Sequence, residues 1–424
     1  MTPEIKQRIE QIRRGEVPEG YVKKRKVVIP QQWGLPQIKD IASISSGSTP
    51  NRNNSEYWNG NIAWVTTGEL SSGHVNHTSE LITVKAVKET KMRIYPQGTL
   101  LMAMYGQGKT RGTVAILEID AAVNQACAAI TVKDGKSKFL FYQLKNSYQD
   151  IRKLSNTGNQ ENLNADIIKT YQVPWAPDEE QERISTILTT QDKVIELKEK
   201  RLAEKQRQKK YLMQQLLTGK KRLPGFSGEW KNIKLCEVLS ERKEKNVEQN
   251  LRICSVAVQK GVVDQVEHLG RSYAANDTSN YSVAHYGDII YTKSPTGDFL
   301  YGIVKQNLLQ ETVAVSPLYG VFTPLTFGLG YFLHTYFQSA ICARNYLLPI
   351  VQKGAKNTIN ITNDTFISSK LYLPLDVEEQ KAIADTFIAA DREIDLLRQD
   401  IEQEKQKKKA LMQLLLTGIV RVKT

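Results

Sequence analysis

The 424-residue sequence has few cysteines and no long apolar run, and these absences exclude several classes of protein. Its four cysteines, at positions 127, 236, 254 and 342, are far apart and form no CxxC pair. They therefore predict neither a disulfide framework nor a zinc site, and they suit a reducing cytoplasm. No stretch approaches the roughly 20 apolar residues of a membrane-spanning helix, and the charged N-terminus lacks the apolar core of a secretory signal. We expect a cytoplasmic protein with no membrane partner.

Sequence motifs for catalysis are also missing. There is no Pro-Pro dipeptide, so the Asn/Asp-Pro-Pro-aromatic motif of DNA methyltransferases is absent, and the five histidines form no HxH or HExxH pattern. The segment 103–110 resembles the end of a phosphate-binding P-loop, but Ala103 stands where that motif needs its first glycine. Glu196 and Lys198 superficially match a nuclease motif, yet they lie in a charged stretch with helical periodicity. We therefore predict no catalytic residue, metal ligand or cofactor site in this chain.

The sequence is rich in positive charge. It contains 58 Lys and Arg against 45 Asp and Glu, which gives a formal net charge of +13 and a pI near 9.3. Such a balance favours a polyanionic partner, and nucleic acid before a membrane surface.

Two segments of the sequence repeat each other. Residues 179–219 and 378–418 align at a constant offset of 199 without a gap, and 16 of the 41 positions are identical. Each begins with EEQ, ends with LLTG, and carries apolar residues three and four positions apart, which predicts two helices of equal length. One apolar stripe about 55 Å long, at ~1.5 Å per residue, cannot remain in water. We therefore expect the two helices to pack on each other as an antiparallel coiled coil.

The segments between the helices predict two mixed α/β domains. Each opens with a tryptophan, Trp33 or Trp230, that follows a basic triplet at the same spacing. Both contain short runs rich in β-branched and aromatic residues that predict strands: GTLLMAMYG, TVAILEI and ACAAITV in the first, GDIIYTK and KLYLPL in the second. The predicted class is α+β, with two α/β domains separated by the two long helices in a pseudo-symmetric, circular arrangement. The predicted segments are an N-terminal helix and basic segment (1–32), domain 1 (33–178), helix 1 (179–219), domain 2 (220–376), and helix 2 with a C-terminal tail (377–424).

Polar, glycine-containing loops recur in both domains. They span residues 45–61, 106–112 and 156–164 in the first domain, and 293–299 and 352–360 in the second. Lys and Arg neutralise phosphates, while Asn, Gln and Arg can recognise base edges through paired hydrogen bonds. We predict DNA contacts from these loops at Thr49, Asn51, Arg52, Lys109, Arg111, Asn159, Gln160, Lys293, Thr296, Lys353, Lys356 and Asn357.

The sequence resembles the specificity subunits of type I restriction–modification systems. The resemblance covers nearly the whole chain and depends on the two tryptophan-initiated domains, the two EEQ…LLTG helices and one block in the first domain. That block comprises Ser46-Gly47-Ser48-Thr49-Pro50, Tyr57-Trp58, Gly60, Ile62 and Trp64-Val65. The second domain lacks the block and has GDIIYTKSP (287–295) and VSPLYGVF (315–322) instead. The two halves are therefore expected to recognise different DNA sequences.

The resemblance implies a non-catalytic subunit that recognises double-stranded DNA. Each target recognition domain would bind one half of a bipartite, asymmetric target, and the helices would set the spacer between the halves. Two modification subunits, with S-adenosylmethionine and the methyltransferase chemistry, would dock on the helices. Restriction subunits would supply translocation and cleavage with ATP and Mg, so no cofactor is expected on this chain. A catalytic methyltransferase or nuclease fragment, and a coiled-coil scaffold that binds only protein, remain as alternatives.

Overall fold

The computed structural model describes residues 2–106, 108–154, 162–271, 274–353 and 359–422. Tertiary contacts divide the chain into two units. Unit 1 comprises Met1–Lys198 and Asp400–Thr424, and unit 2 comprises Glu199–Gln399.

Unit 1 contains an N-terminal helix and hairpin, one α/β domain, and part of each long helix. Its helices are α1 (Pro3–Arg13), α2 (Ile38–Ile41), α3 (Val84–Thr90), α4 (Ser137–Asn146), α5 (Tyr148–Lys153), α6 (Ala165–Thr170) and the start of α7 (Asp178–Leu216). Its strands are β1 (Tyr21–Lys24), β2 (Val27–Pro30), β3 (Ala42–Ser46), β4 (Trp58–Val65), β5 (His74–Val75), β6 (Glu80–Ile82), β7 (Leu100–Ala103), β8 (Val114–Leu117), β9 (Ala121–Val123) and β10 (Cys127–Val132).

Two sheets form the domain of unit 1. The larger has the strand order β3-β10-β7-β8-β5, in which all neighbours are antiparallel except β8 and β5. The smaller has the order β6-β4-β9, with β4 antiparallel to β6 and parallel to β9. Strands β7, β8 and β9 are buried along their whole length, as their runs of aliphatic residues require.

Unit 2 contains the second α/β domain and the remaining parts of the long helices. Its strands are β11 (Trp230–Lys234), β12 (Leu239–Glu241), β13 (Arg252–Ala257), β14 (Gly261–Asp264), β15 (Ser282–Ala284), β16 (Ile289–Tyr291), β17 (Val304–Gln306), β18 (Val313–Val315), β19 (Gly320–Pro324), β20 (Gln352–Lys353), β21 (Ile359–Asn360) and β22 (Lys370–Pro374). Its helices besides the end of α7 are α8 (Gln265–Leu269), α9 (Phe327–Tyr336), α10 (Ala340–Leu347), α11 (Asn363–Ser368) and α12 (Val377–Leu415), which ends in unit 1.

The sheets of unit 2 repeat the topology of unit 1. The order β12-β19-β16-β17, all antiparallel, matches β3-β10-β7-β8. The other sheet has the order β14-β13-β18-β15. Its antiparallel pair β14-β13 matches β6-β4 of unit 1, and its parallel pair β13-β18 matches β4-β9. The two domains therefore share one fold although their sequence motifs differ.

The long helices are 39 residues each, and in each unit the start of one runs antiparallel to the end of the other. In unit 1, Gln191 donates a 2.6 Å hydrogen bond to Glu404, and Lys198 lies 2.7 Å from Asp400. In unit 2, Lys205 lies 2.9 Å from Glu393. The predicted antiparallel pairing is confirmed within each unit, and the predicted apolar stripes of both helices lie on their buried or half-buried faces.

Each unit has a main core that joins its domain to both helix segments. In unit 1, Trp33 and Phe139 pack with Ile184 of α7 and Leu415 of α12. The equivalent core of unit 2 contains Trp230 and Phe332, with Leu216 at the end of α7 and Ile383 near the start of α12. The predicted strand runs are confirmed as β7, β8, β10, β16 and β22.

Within the described residues, no helix is long and apolar enough to cross a membrane. The same residues hold no group of three or more His, Cys, Asp or Glu side chains that could bind a metal ion. The four cysteines are unpaired. Cys127 and Cys254 are buried, and burial raises the pKa of the Cys127 thiol to about 12, whereas Cys236 is exposed.

Candidate DNA interface

Four loops of unit 1 meet at one end of the larger sheet. The backbone N–H of Ser48 donates to Val123 (3.0 Å), that of Met104 donates to Ala126 (2.8 Å), and that of Leu163 donates to the carbonyl of Met104 (3.0 Å). These bonds bring together the loops that follow β3, β7 and β9 and the segment that precedes α6. We call the described residues 47–52, 104–112, 124–126 and 162–164 loop surface 1.

Gly47 allows the closest of these approaches. A Cβ atom at this position would lie 1.8 Å from the carbonyl oxygen of Val123. No other residue fits without moving the backbone, so the SerGlyxThrPro block keeps the loop after β3 against the loop after β9. Thr49 and Asn51, which follow in the same loop, are consequently held at its exposed edge.

Thr49 and Asn51 lie on loop surface 1 with their side chains exposed. The Thr49 hydroxyl donates a hydrogen bond to the side-chain oxygen of Gln125. Asn51 Oδ1 accepts from the backbone N–H of Asn53 at 3.0 Å, which forms a local turn. Gln125 was not among the predicted residues. The turn between two strand-like runs could have indicated it, but its proximity to Thr49 is visible only in the fold.

Arg52, also predicted as a DNA contact, has an exposed side chain that lies against two tryptophan rings. Its guanidinium lies 4.1 Å from the ring centroid of Trp58 and 4.9 Å from that of Trp64, and it pairs with Glu80 through both carboxylate oxygens. The hydrogen bonds from Arg52 hold the pKa of Glu80 below its ordinary value. Because Arg52 is engaged by three side chains, it also positions the loop that carries Thr49.

The loop between β7 and β8 is held by α5. The hydroxyl of Tyr148 donates to the carbonyl of Lys109 at 2.6 Å, and Arg152 donates to the carbonyls of Gly108 and Arg111, both at 2.8 Å. Lys109 is exposed, and its backbone carbonyl accepts the hydrogen bond from Tyr148. Arg111 is only 7% exposed, so Lys109 is the better placed of the two for a phosphate.

In unit 2, Lys293 and Thr296 lie in the loop between β16 and β17, which matches the β7–β8 loop of unit 1. Lys293 is half-buried with φ +58°, and burial lowers the pKa of its ammonium despite the nearby Glu241. Gly302 permits this geometry, since a Cβ there would lie 2.8 Å from the Lys293 nitrogen. Thr296 is exposed in a tight hairpin in which its N–H bonds the Phe299 carbonyl at 3.0 Å.

The remaining predicted residues have no described side chains. Asn159, Gln160, Lys356 and Asn357 lie outside the described residues, and Lys353 lies at the end of β20. Their roles as DNA contacts stay predictions.

An equivalent set of polar residues joins each domain to the long helices. In unit 1, Asp192 of α7 binds Lys408 of α12 and accepts a 2.8 Å hydrogen bond from Tyr142 of α4. In unit 2 the aspartate belongs to α12 and the lysine to α7, the opposite of unit 1. Asp391 of α12 binds Lys209 of α7 and accepts a 2.9 Å hydrogen bond from Tyr331 of α9. Burial raises the pKa of both tyrosines, so both hydroxyls stay protonated and donate.

The two domains share their main strand orders but carry unlike polar loops, and each packs against the same pair of helices. These features define a two-module recognition protein without a catalytic constellation among its described residues. The chain belongs to the family described as type I restriction modification DNA specificity domain, whose model matches residues 30–206 and again residues 228–406.

Known proteins similar to this chain agree with that assignment. It is 34% identical over 178 residues to the type I restriction enzyme MjaIX specificity subunit of Methanocaldococcus jannaschii, an alignment that covers 41% of this chain and 40% of that protein. It is 24% identical over 429 residues to the MjaVIII specificity subunit of the same organism, which covers 93% and 94% of the two chains. In fold it is similar to the crystal structure of the type I restriction–modification S subunit from M. genitalium, with a TM-score of 0.58, 11% identity, and coverage of 93% and 98%.

Proposed function

We propose that the chain is the DNA sequence-recognition subunit of a type I restriction–modification complex and that it performs no catalysis itself. The observation that carries the proposal is that the family match and the sheet topology occur twice, while the loops of the two domains differ. Each domain would bind one half of a bipartite, asymmetric target, with base contacts from loop surface 1 and from the β16–β17 loop of unit 2.

The remaining components of the reaction would belong to partner subunits. Two modification subunits would bind the helices and bring S-adenosylmethionine to the target adenines, and restriction subunits would add ATP- and Mg-dependent cleavage. The basic net charge supports DNA as the partner, and the fixed, equal lengths of α7 and α12 support a defined spacer between the two half-sites.

Exchange of one domain tests this proposal. Residues 33–178 are replaced by the corresponding domain of a relative, the hybrid is co-expressed with its modification subunit, and methylated adenines are mapped across the genome. One half of the target should change while the other half and the spacer persist. The reciprocal exchange of residues 220–376 is the matched control and should change the other half. A hybrid that altered both halves would contradict independent recognition, and a chain that directed no methylation and bound no DNA would support the scaffold alternative.

A further inference from the structure

A carboxylate lies among the proposed recognition loops of unit 2. Glu241 is the last residue of β12, and its side chain is half-buried. Strands β12 and β16 both run antiparallel to β19, so they end where β19 begins, at Gly320. Loop surface 1 lies at the equivalent end of the larger sheet of unit 1, where β3 and β7 end and β10 begins. The shared topology therefore places Glu241 at the end of the sheet that is proposed to face DNA.

The position equivalent to Glu241 in unit 1 is apolar. In unit 2, Phe322 pairs with Glu241 and with the first residue of β16. In unit 1, Ile130 pairs with Ile44 and with the first residue of β7. Ile44 packs against the main core of its unit, so the fold accepts an aliphatic side chain at this position. A carboxylate that the fold does not require indicates a functional role.

Asn363, the first residue of α11, holds this carboxylate. Its side-chain Nδ2 donates a 2.6 Å hydrogen bond to Glu241 Oε1, and it is the only hydrogen-bond donor to that carboxylate among the described residues. The other end of the amide is buried, and Asn363 Oδ1 accepts no hydrogen bond within the part of the chain that the structure describes. A buried carbonyl oxygen without a donor is unfavourable. The amide is therefore oriented for its contact with Glu241, at a cost to the stability of the fold.

Two neighbouring residues complete the site. Gly320 leaves room for the amide, since a Cβ atom there would lie 2.5 Å from Asn363 Oδ1. Lys293 lies near Glu241: burial lowers the pKa of its ammonium, and the charge of Glu241 opposes this effect. A cation beside the carboxylate reduces its repulsion from DNA phosphates. We call Glu241, Lys293 and Asn363 the Glu241 cluster.

The chemistry of a carboxylate limits what the Glu241 cluster can recognise. An ionised carboxylate only accepts hydrogen bonds, and the donors in the major groove are the exocyclic amino groups of cytosine and adenine. In adenine the amino group adjoins N7, an acceptor that would repel the second carboxylate oxygen. In cytosine it adjoins the carbon C5, which has no lone pair. Cytosine is therefore the favoured base.

We propose that Glu241 is a specificity-determining residue that accepts a hydrogen bond from the amino group of one cytosine in the half-site bound by unit 2, and that Asn363 is its positioning residue. The inference rests on the proposed function and deepens it. Unit 1 has no equivalent contact, because Ile44 cannot accept a hydrogen bond from a base. Since a carboxylate gains nothing from phosphates, Glu241 contributes to discrimination between sequences and not to general affinity for DNA.

A double-mutant cycle between the side chain and the base tests this proposal. The target is first mapped from the sites that the full-length chain and its modification subunit methylate, and the domain exchange described above identifies the half-site of unit 2. Affinity of the complex is then measured by fluorescence anisotropy on duplexes in which a cytosine analogue without the amino group replaces each cytosine in turn. The wild type should lose about tenfold in affinity at one cytosine of that half-site.

Glu241→Ala and Glu241→Ile should bind the normal and the analogue duplex at that position alike, within about twofold. The isoleucine variant reproduces the residue that the same fold carries in unit 1, so it guards against a loss of folding. Both variants should keep wild-type discrimination at every position of the half-site bound by unit 1.

Asn363→Asp tests the positioning role. It replaces the donor to Glu241 by a second carboxylate, whereas aspartate in the first turn of a helix is favourable, so α11 should remain formed. Discrimination at the same cytosine should fall severalfold, while thermal unfolding and the other positions stay as in the wild type. Glu229→Gln is the matched control, because it removes one negative charge at an exposed position before β11. It should discriminate as the wild type does throughout.

Three results would contradict the inference while leaving the proposed function intact. They are Glu241 variants that still lose about tenfold on the analogue duplex, an Asn363→Asp variant with wild-type discrimination, and a half-site of unit 2 without a C·G pair. A wild-type complex that binds matched and mismatched duplexes equally well would instead overturn the proposed function.

Discussion

The indole nitrogen of Trp33 donates a 2.9 Å hydrogen bond to a carboxylate oxygen of Glu180, which is buried at the start of α7. Arg421, from the C-terminal tail, donates to both oxygens of the same carboxylate at 2.8 and 2.9 Å. Burial opposes ionisation of Glu180, but the hydrogen bonds from Arg421 and Trp33 outweigh it and hold the pKa of the carboxyl below its ordinary value. The segment that contains Trp33 and the C-terminal tail that contains Arg421 are therefore both hydrogen-bonded to the start of α7.

The same arrangement occurs in unit 2 without a break in the chain. Trp230 donates to Glu379 at 3.1 Å and Arg222 donates to it at 2.6 Å. Here the tryptophan and the arginine belong to one continuous segment, whereas their counterparts in unit 1 come from opposite ends of the sequence. The repeated contact is the physical basis of the predicted circular arrangement.

The first prediction is that both carboxylates are essential for stability. Glu180→Ala leaves the Trp33 N–H and the Arg421 guanidinium without their buried acceptor, and Glu379→Ala does the same in unit 2. Each change should lower the free energy of unfolding of its unit by about 2–4 kcal/mol. Urea denaturation followed by circular dichroism measures this. The exposed neighbours supply the control: Glu179→Ala and Glu378→Ala should cost no more than about 0.5 kcal/mol. Equal losses in the buried and exposed variants would contradict the prediction.

The helices could be predicted from the sequence more completely than the domains. An ungapped repeat with an apolar stripe defines a helix pair, and the observed bounds, Asp178–Leu216 and Val377–Leu415, differ from the predicted ones by a few residues. The shared topology of the domains could not be predicted, since the second domain lacks the SerGlyxThrPro block and the sheets depend on long-range pairing. In the candidate interface, the predicted Arg52 proved to be held by Trp58, Trp64 and Glu80. Gln125 was missed because its position in a turn between two strand-like runs does not reveal that it lies beside Thr49, a contact that only the fold creates.

The second prediction separates affinity from specificity on loop surface 1. Lys109→Ala should weaken binding of the assembled complex to all DNA sequences alike and should reduce the slope of log affinity against log salt by about 0.9 for one lost phosphate contact. Gln125→Ala should instead reduce discrimination at one or two positions of a single half-site, by about 1–3 kcal/mol for each base contact. Fluorescence anisotropy over a salt series, with matched and single-mismatch duplexes, measures both effects.

Lys88 provides the control for charge. It is an exposed lysine of α3 outside loop surface 1, so Lys88→Ala removes one positive charge without changing the proposed interface. Its salt slope should equal that of the wild type. If Lys88→Ala and Lys109→Ala weakened binding equally, the effect would be one of net charge and the interface would be misplaced.

The third prediction concerns Lys305, which lies in β17 and is 3% exposed. Burial, together with the nearby Lys209, lowers the pKa of its ammonium to about 8 from an ordinary value of 10.5, and Asp391 only partly opposes this. Between about pH 8 and 10.5 the Lys305 side chain therefore holds a proton in the unfolded chain that it has lost in the folded chain, so the contribution of Lys305 to stability rises with pH across this window. Below pH 8 the cost of burying the charge is fully present.

Lys305→Met should remove that cost. The variant should be more stable than the wild type at pH 7 by about 1–3 kcal/mol, and the difference should shrink as the pH rises towards 10.5. Urea denaturation at several pH values measures it. Lys370→Met, at an exposed position of β22 in the same unit, should change stability by less than about 0.5 kcal/mol throughout. A Lys305→Met variant that is less stable than the wild type at pH 7 would show that the ammonium makes a favourable contact that outweighs its burial.

The last prediction concerns the spacer between the half-sites. Unit 1 ends at Lys198 of α7 and resumes at Asp400 of α12, and the described ion pairs between the helices lie within one unit or the other. Four residues inserted between Lys198 and Glu199, together with four between Gln399 and Asp400, therefore lengthen both helices without removing a contact inside either unit. Four residues add about 6 Å of helix, and B-DNA rises about 3.4 Å per base pair. Methylated sites should keep both half-site sequences, and the nonspecific spacer should grow by one or two base pairs. An insertion in α7 alone offsets the two helices and should abolish specific methylation. If the paired insertions altered the half-site bases, or left the spacer as it was, the helices would not set the distance between the two recognition events.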